Sequence, residues 1–436
     1  MTTTTHATTD VPPGETASAV TAAHLARIDQ REPEVQAWAF LDPDHARAQA
    51  AALDRALAAG AAPGPLFGVP VGIKDIFATA DMPTENGTHL HAGRRPEADA
   101  AVVERLRVAG AVIMGKTVTT ELAAFMPGKT RNPHNPARTP GGSSSGSAAA
   151  VAAGMVPMAL GSQTNGSVIR PASYCGVHGF KPTHGLISRR GMTPQAPTVD
   201  HVGMFARSLA EIARLADVLI GHDPADPASR PMAAPRLAAG LATGRAVAPR
   251  LAFVPGPTWE AAEPATQAAF VDLAARLQIP EIALPEGFAE AIEVHRLISW
   301  AELAHALAPE YRVGPGGLSD RLRGMIEGGQ AVTAPAYLGA LSARNGLIAA
   351  MAGVFAEYDA LLTPAATGEA PLGLDSTGSP LFCTTWTLLG TPAVSLPLLR
   401  GPAGLPVGVQ LVSARGHDAA LLATAAWLEQ ALAGAG

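Results

Sequence analysis

From Thr139 to Ile169 the chain carries no charged residue. The run opens TPGGSSSGSAAAV, glycine and serine followed at once by an alanine-rich stretch. Flexible Gly/Ser linkers stay in water, whereas this composition is suited to burial. Any fold the chain adopts must therefore enclose three consecutive hydroxyls, Ser143, Ser144 and Ser145. Each needs a hydrogen-bond partner once it leaves water.

The rest of the composition sets bounds. The 436 residues suit one large domain or two to three ordinary ones. With 47% hydrophobic and 16% charged residues, a large soluble core is expected. A net charge of −6 without clustered basic patches excludes an electrostatic footprint for nucleic acid. Two cysteines, Cys175 and Cys383, suggest neither a disulfide framework nor a zinc cluster, and point to a reducing, cytoplasmic setting. The N-terminal MTTTTHATTDVPPGE has no charged n-region or apolar h-region, so it reads as a disordered tail over 1–14. The longest uncharged run holds Gly, Pro, Gln, Asn and Ser and makes a poor membrane span. Lysine usage is more telling. Of 31 basic residues only Lys74, Lys116, Lys129 and Lys181 are lysine. Arginine stays protonated in proteins, whereas a buried lysine can lose its proton and act as a base.

Periodicity predicts helices over 16–30, 43–60, 98–109, 145–153, 262–277, 287–308 and 417–433. Short apolar runs predict strands in PLFGVPVGIKDIF (65–77), AVIM (111–114), VPMAL (156–160), LAFVPG (251–256), EIALP (281–285), DALLTP (359–364), PAVSLPL (392–398) and VGVQLVS (407–413). This alternation argues for an α/β protein with a buried sheet. One domain over 15–436, with a less regular insert around 220–340, is the expected organisation.

Two motifs mislead. GAVIMGKT, Gly110–Thr117, matches a phosphate-binding loop literally. Its middle residues are apolar and helix-preceded, so it reads as a glycine turn into a core strand. G-x-S-x-G occurs at Gly142–Gly146, centred on Ser144. A nucleophile elbow needs a strand before it, and the approach carries prolines at 133, 136 and 140, which a central strand does not accommodate. His89 and His91 in THLHAG would share one face of a strand, but no third metal ligand lies nearby.

A third pattern is dispersed: Lys74 in GIKD, Ser143 in GGSSSGS and Ser167 in QTNGSVIRPASYCG. With GVPVGIKD (68–75), ADAAVVERLRVAGAVIMGKT (98–117), PASYCGVHGFKPTHG (171–185) and LPVGVQL (405–411), it resembles the amidase signature family of serine amidohydrolases. In motif style it is nearest to malonamidase and biuret hydrolase-like members. The resemblance runs from about residue 16 to the C-terminus. It implies a central mixed β-sheet covered by helices on both faces, and no cofactor.

It also implies roles. Ser167 attacks an amide carbonyl, Ser143 passes the proton on, and Lys74 receives it. Lys74 must then rest uncharged, which burial favours, and the uncharged wall 139–169 is suited to supply that burial. Asp75 follows on a strand and points to the opposite face. The Gly142–Ser143 peptide is cis in the family. Thr164, Asn165 and Gly166 lend backbone N–H groups to the oxyanion. Ser144 supports the network, and Ser145 is the expected helix N-cap. Lys116 and Lys181 are expected to be structural anchors, Cys175 a small core residue, and Cys383 and Trp386 pocket residues.

Three departures stand out. Gln163 replaces a frequent Asp and Asn165 a frequent Gly, which bears on support of the loop. In SVIRPA the arginine sits at Arg170, three residues after Ser167. A buried guanidinium needs an anionic partner, and Arg170 can clamp a substrate carboxylate at two points. The expected reaction is hydrolysis of a small carboxylate-bearing amide of malonamate or biuret type through a seryl acyl-enzyme, releasing ammonia or an amine. The alternatives are a broad aliphatic or aryl amidase, a glutaminase-type component of a tRNA-dependent amidotransferase and, remotely, a P-loop nucleotide-binding protein. The expected partner is a small-molecule amide, with no nucleic acid or membrane, and the assembly in view is a homodimer.

Overall fold

The computed structural model describes residues 15–434 other than 232 and 246. The expected N-terminal tail lies outside the described residues. Among those described, ten strands form one mixed sheet: β1 (Trp38–Leu41), β2 (Pro70–Lys74), β3 (Val112–Thr117), β4 (Met158–Gln163), β5 (His178–Lys181), β6 (His201–Ala206), β7 (Leu251–Phe253), β8 (Ala360–Pro364), β9 (Ala393–Arg400) and β10 (Pro406–Val412). Their order is β1-β3-β2-β4-β6-β5-β9-β10-β8-β7. β2 runs parallel to both neighbours, β3 and β4, and β7 runs parallel to β8. The remaining pairs are antiparallel.

Successive side chains of a strand point to opposite faces, and here each face has its own core. Val71, Ile73, Ile113, Met158 and Leu160 pack with residues of the helices Ala101–Val108, Leu209–Leu219 and Asp418–Ala433. Val112, Met114 and Ala159 pack on the other side with Ala17–Val35, Pro43–Ala58 and Ser145–Ala152. A sheet buried on both faces explains why these strands read as unbroken apolar runs.

The alanine-rich helix Ser145–Ala152 lies close against the sheet, and small residues permit it. A Cβ on Gly146 would run into the carbonyl of Ala37 and the N–H of Val118. A Cβ on Gly161 of β4 would meet the Phe205 ring at 2.6 Å and the Ser144 hydroxyl at 2.9 Å. Bulk at either position would push the helix off the strands that carry the site.

Several expectations need correction. EIALP forms no strand; a single bridge joins Glu281 to Phe253. The described residues of 220–340 hold the helices Leu237–Thr243, Pro264–Leu277, Ala291–Ala306, Ala308–Val313 and Asp320–Gln330 and the start of Ala334–Glu357, and give β7 to the sheet. His89 and His91 sit on a 3-10 turn, where His91 meets Asn86 and Glu310 instead of facing a metal with His89. β1, β5 and β6 were not legible as strands. Nor was the helix Ala334–Glu357, which among the described residues has the length and mean hydropathy, 1.3, of a membrane span. By length and composition alone it passes that test, and it packs on the helices Ala291–Ala306 and Leu381–Leu389.

Candidate active site

Parallel strands end at the same edge of a sheet, and crevices beyond carboxyl ends are where open α/β folds bind ligands. Lys74 is the last residue of β2, and Ile73 pairs with Leu160 of β4. The chain leaving β4 therefore runs beside Lys74. Lys74 Nζ is 2.7 Å from Ser143 Oγ and 2.8 Å from Ser162 Oγ. The Gly142–Ser143 peptide is cis.

Lys74 is fully buried. Burial lowers its pKa well below the usual lysine range, an effect that a charge on Asp200 would oppose. Asp75 does not hold the proton there. It faces Lys116, whose Nζ lies 3.3 Å from Asp75 Oδ1 and also donates to the Phe77 carbonyl and Thr84 Oγ1. Lys116 is thus the anchor expected of it, as is Lys181, which donates to the Thr391 carbonyl.

Ser162 is the residue that sequence reasoning missed. It lies inside a strand, and nothing in its spacing distinguishes it from a packing serine. Its own position is fixed by Ser144, whose Oγ accepts from the Ser162 N–H and donates to the Ser162 carbonyl, both at 3.2 Å. Ser144 therefore acts on Lys74 at one remove. Ser145 does not cap the helix: its hydroxyl turns back to the Val118 carbonyl at 3.3 Å.

Ser167 follows the loop Thr164–Gly166 and precedes the helix Ile169–Cys175. It is nearly buried, at 9% exposure, and lines a cavity of about 310 Å³. Among the described residues no hydrogen bond joins Ser167 to Ser143, so one link of the expected relay is closed and the other open. The N–H groups of Asn165, Gly166 and Ser167 have no protein acceptor among the described residues.

The substitutions around this loop support it. Gln163 Oε1 accepts from the N–H groups of Val168 and Ile169 at 2.8 and 3.0 Å, while its Nε2 donates to Thr387 Oγ1 at 2.9 Å. It thereby satisfies donors at the start of the helix after Ser167. Asn165 accepts from Thr384 through its side chain, at 2.7 Å, and from Thr387 through its carbonyl, at 2.5 Å. His295, buried and pushed down to about 4 by desolvation, is a neutral ring facing the Thr164 carbonyl from 2.8 Å. A carbonyl only accepts, so Nε2 carries the proton.

Arg170 is 2% exposed and lines the same cavity. Its Nη2 donates to the Gly142 carbonyl at 2.6 Å and to Thr377 Oγ1 at 3.1 Å. Nε and Nη1 are buried without a partner. No carboxylate of the described residues pairs with it, and no Asp or Glu lines the cavity, whereas Arg296 and Arg321 do. The helix Leu381–Leu389 contributes Leu381 and Thr384 to the wall. Cys383 and Trp386, expected in the pocket, turn instead into a core cluster, and Cys175 is buried in another. Among the described residues no group of three or more His, Cys, Asp or Glu is placed to hold a metal.

The family model "Amidase" matches residues 19–422. The A-type component of the glutamyl-tRNA(Gln) amidotransferase of Chloroflexus aggregans is 36% identical, over 93% of this chain and 91% of the relative. The corresponding protein of Salinispora arenicola is 35% identical, over 96% and 95%. Among solved structures, one from a vestigial protein complex tied to the origins of an s-triazine catabolic enzyme superposes with a TM-score of 0.90 at 30% identity, covering 96% of each chain. The peptide amidase of Stenotrophomonas maltophilia gives 0.82 at 30%, covering 95% of this chain and 93% of its own.

Proposed function

The chain belongs to the Amidase family, hydrolases that act on carbon–nitrogen bonds, and from that premise we propose a reaction through a Ser167 ester with Lys74 as the base. The observation that carries this reading is the buried Lys74 amine at 2.7 Å from the Ser143 hydroxyl. A serine hydroxyl is a weak nucleophile until a base takes its proton. An uncharged Lys74 accepts the Ser143 proton, and Ser143 takes that of Ser167 as Ser167 Oγ bonds to the carbonyl carbon. The oxyanion that forms meets the unengaged N–H groups of Asn165 and Gly166, with Thr164 framing the loop. One such donor is worth about 3–4 kcal/mol. Collapse breaks the C–N bond, and the proton on Lys74 returns through Ser143 to the leaving nitrogen. Water then repeats the sequence on the ester. Closure of the Ser143–Ser167 link accompanies substrate binding, since catalytic hydrogen bonds are often long in unliganded sites.

The substrate is a small amide bearing a carboxylate. Arg170 and Arg321 line a cavity that no Asp or Glu lines, while Arg296 there is engaged by Glu293, and the Arg170 nitrogens without a protein partner offer charge-assisted donors to an anion. The test is a panel of small amides, matched with and without a carboxylate, read by ammonia release and by intact mass for the Ser167 ester. Ester on Ser167 and preference for the acids support the proposal; turnover without any ester on Ser167 rejects it.

A second reading is favoured by the amidotransferase relatives: the chain is the glutaminase-type half of an assembly that channels ammonia. Hydrolysis by the lone chain without glutamine preference rejects it. Glutamine-selective hydrolysis that needs a second protein supports it.

A further inference from the structure

Behind the nucleophile loop lies a buried cluster with one proton too few. Asp200 Oδ2 accepts from the N–H groups of Gln195 and Ala196, both at 2.9 Å. Asp200 Oδ1 is 2.6 Å from Thr164 Oγ1, which is also 2.8 Å from Gln195 Oε1. The Gln195 amide cannot be turned round, because its Nε2 donates to the Leu122 carbonyl at 2.9 Å, a group that only accepts. The single Thr164 proton thus faces two acceptors. If it goes to Asp200, Gln195 Oε1 is left 2.8 Å from another oxygen with no donor among the described residues, which is costly. A proton on Asp200 Oδ1 resolves the count. The acid donates to Thr164, Thr164 donates to Gln195, and every atom of the chain is satisfied.

We infer that Asp200 is held as a neutral carboxylic acid donating to Thr164, and that this uncharged state leaves Lys74 free to lose its proton. The second half rests on the proposed role of Lys74 as base. An ionised Asp200 would favour the ammonium form of Lys74, against what the reaction needs. Asp200 is fully buried, which raises its pKa, while bonds from Thr164, Gln195 and Ala196 and the charge of Arg189 act the other way. The charged and titratable neighbours fit a neutral acid. The Arg189 guanidinium is engaged by Asp226, with Nη2 2.7 Å from Oδ1. His201, next in sequence, is kept uncharged by burial, with Lys181 and His184 adding to that effect. Asp200 acts through Thr164 and Lys74 and is a positioning residue.

Two measurements test this. Infrared difference spectra of protein carrying ¹³C-carboxyl aspartate, wild type minus Asp200→Asn, should contain a protonated-acid carbonyl band that shifts in D2O. A difference holding carboxylate bands alone overturns the inference, whatever the role of Lys74. Should Asp200→Asn fail to fold, Thr164→Val serves as the second variant. It removes the acceptor, so the acid band should move, and an unmoved spectrum overturns the inference. The pH profile of kcat/KM is the other readout. Asparagine keeps the donor and acceptor pattern of the neutral acid, so the acid limb of Asp200→Asn should stay within about half a unit of wild type. Loss of an ionised partner would instead move the limb down by about one unit or more, and that result overturns the inference. If wild type shows no acid limb, the reading of Lys74 has failed separately, and the infrared result decides the state of Asp200 by itself.

Discussion

Ser162 Oγ lies 2.8 Å from Lys74 Nζ, on the strand beside the one Lys74 terminates. This contact aims the amine and leaves its other close bond to Ser143. Ser162→Ala should lower kcat about 10- to 100-fold with little change in KM, since a misdirected base acts on the chemical step. A KM effect alone would assign Ser162 to binding.

Ser167→Ala should reduce kcat by about 10⁴-fold or more, as loss of an activated nucleophile does elsewhere. Circular dichroism and thermal unfolding should stay near wild type, because the side chain makes no hydrogen bond with its proposed partner Ser143 and borders the cavity. Turnover at the wild-type rate would remove the central assignment.

The pH dependence has a definite sign. Burial lowers the pKa of Lys74 far below the ordinary lysine value, and the neutral amine is the proposed base. Activity should therefore rise with pH through an acid limb and reach its plateau well below about pH 10.4. The measurement is kcat/KM across about pH 5 to 10. A profile that falls with rising pH there contradicts a lysine base.

Arg170→Ala should raise KM about 10²-fold for carboxylate-bearing amides relative to their neutral isosteres, the worth of a charge-assisted pair. Because Nη2 also holds the Gly142 carbonyl beside Ser143, kcat should fall for both substrate classes. The ratio between classes separates the two jobs: an unchanged ratio leaves Arg170 with the structural one alone.

Gln163→Leu strips the acceptor from two N–H groups in a buried site, at a cost of about 1–3 kcal/mol each. Both thermal stability and kcat should drop. Gln163→Glu keeps the acceptor but loses the bond to Thr387, so it should fall between leucine and wild type. Equal behaviour of the two variants would place the support elsewhere.

Much of the sheet was legible because β2, β3, β4, β8, β9 and β10 are apolar on both faces and bounded by glycine or proline. β5 and β6 were hidden by their histidines, His178 and His201, which read as polar yet are buried. The helix Ala334–Glu357 was hidden by its alanines, which carry little periodic signal. Lys74, Ser143 and Ser167 were visible through family motifs, and Arg170 through its spacing from Ser167. Ser162, His295 and Asp200 were not, because their importance comes from what packs beside them. His295 lies more than a hundred residues from the carbonyl it faces.

Lys74, Ser143, Ser162 and Ser167 all belong to the segment 74–167, whereas Ile292, Trp300, Met325 and Leu381 come from helices later in the chain. Apart from Arg170 and the 123–125 turn, the outer wall of the cavity is thus written in a later stretch of sequence than the proposed proton path. Wall positions such as Ile292, Trp300 and Met325 can be varied to admit a new amide, whereas His295, Thr384 and Thr387 on the same helices must stay, because they hold the loop before Ser167.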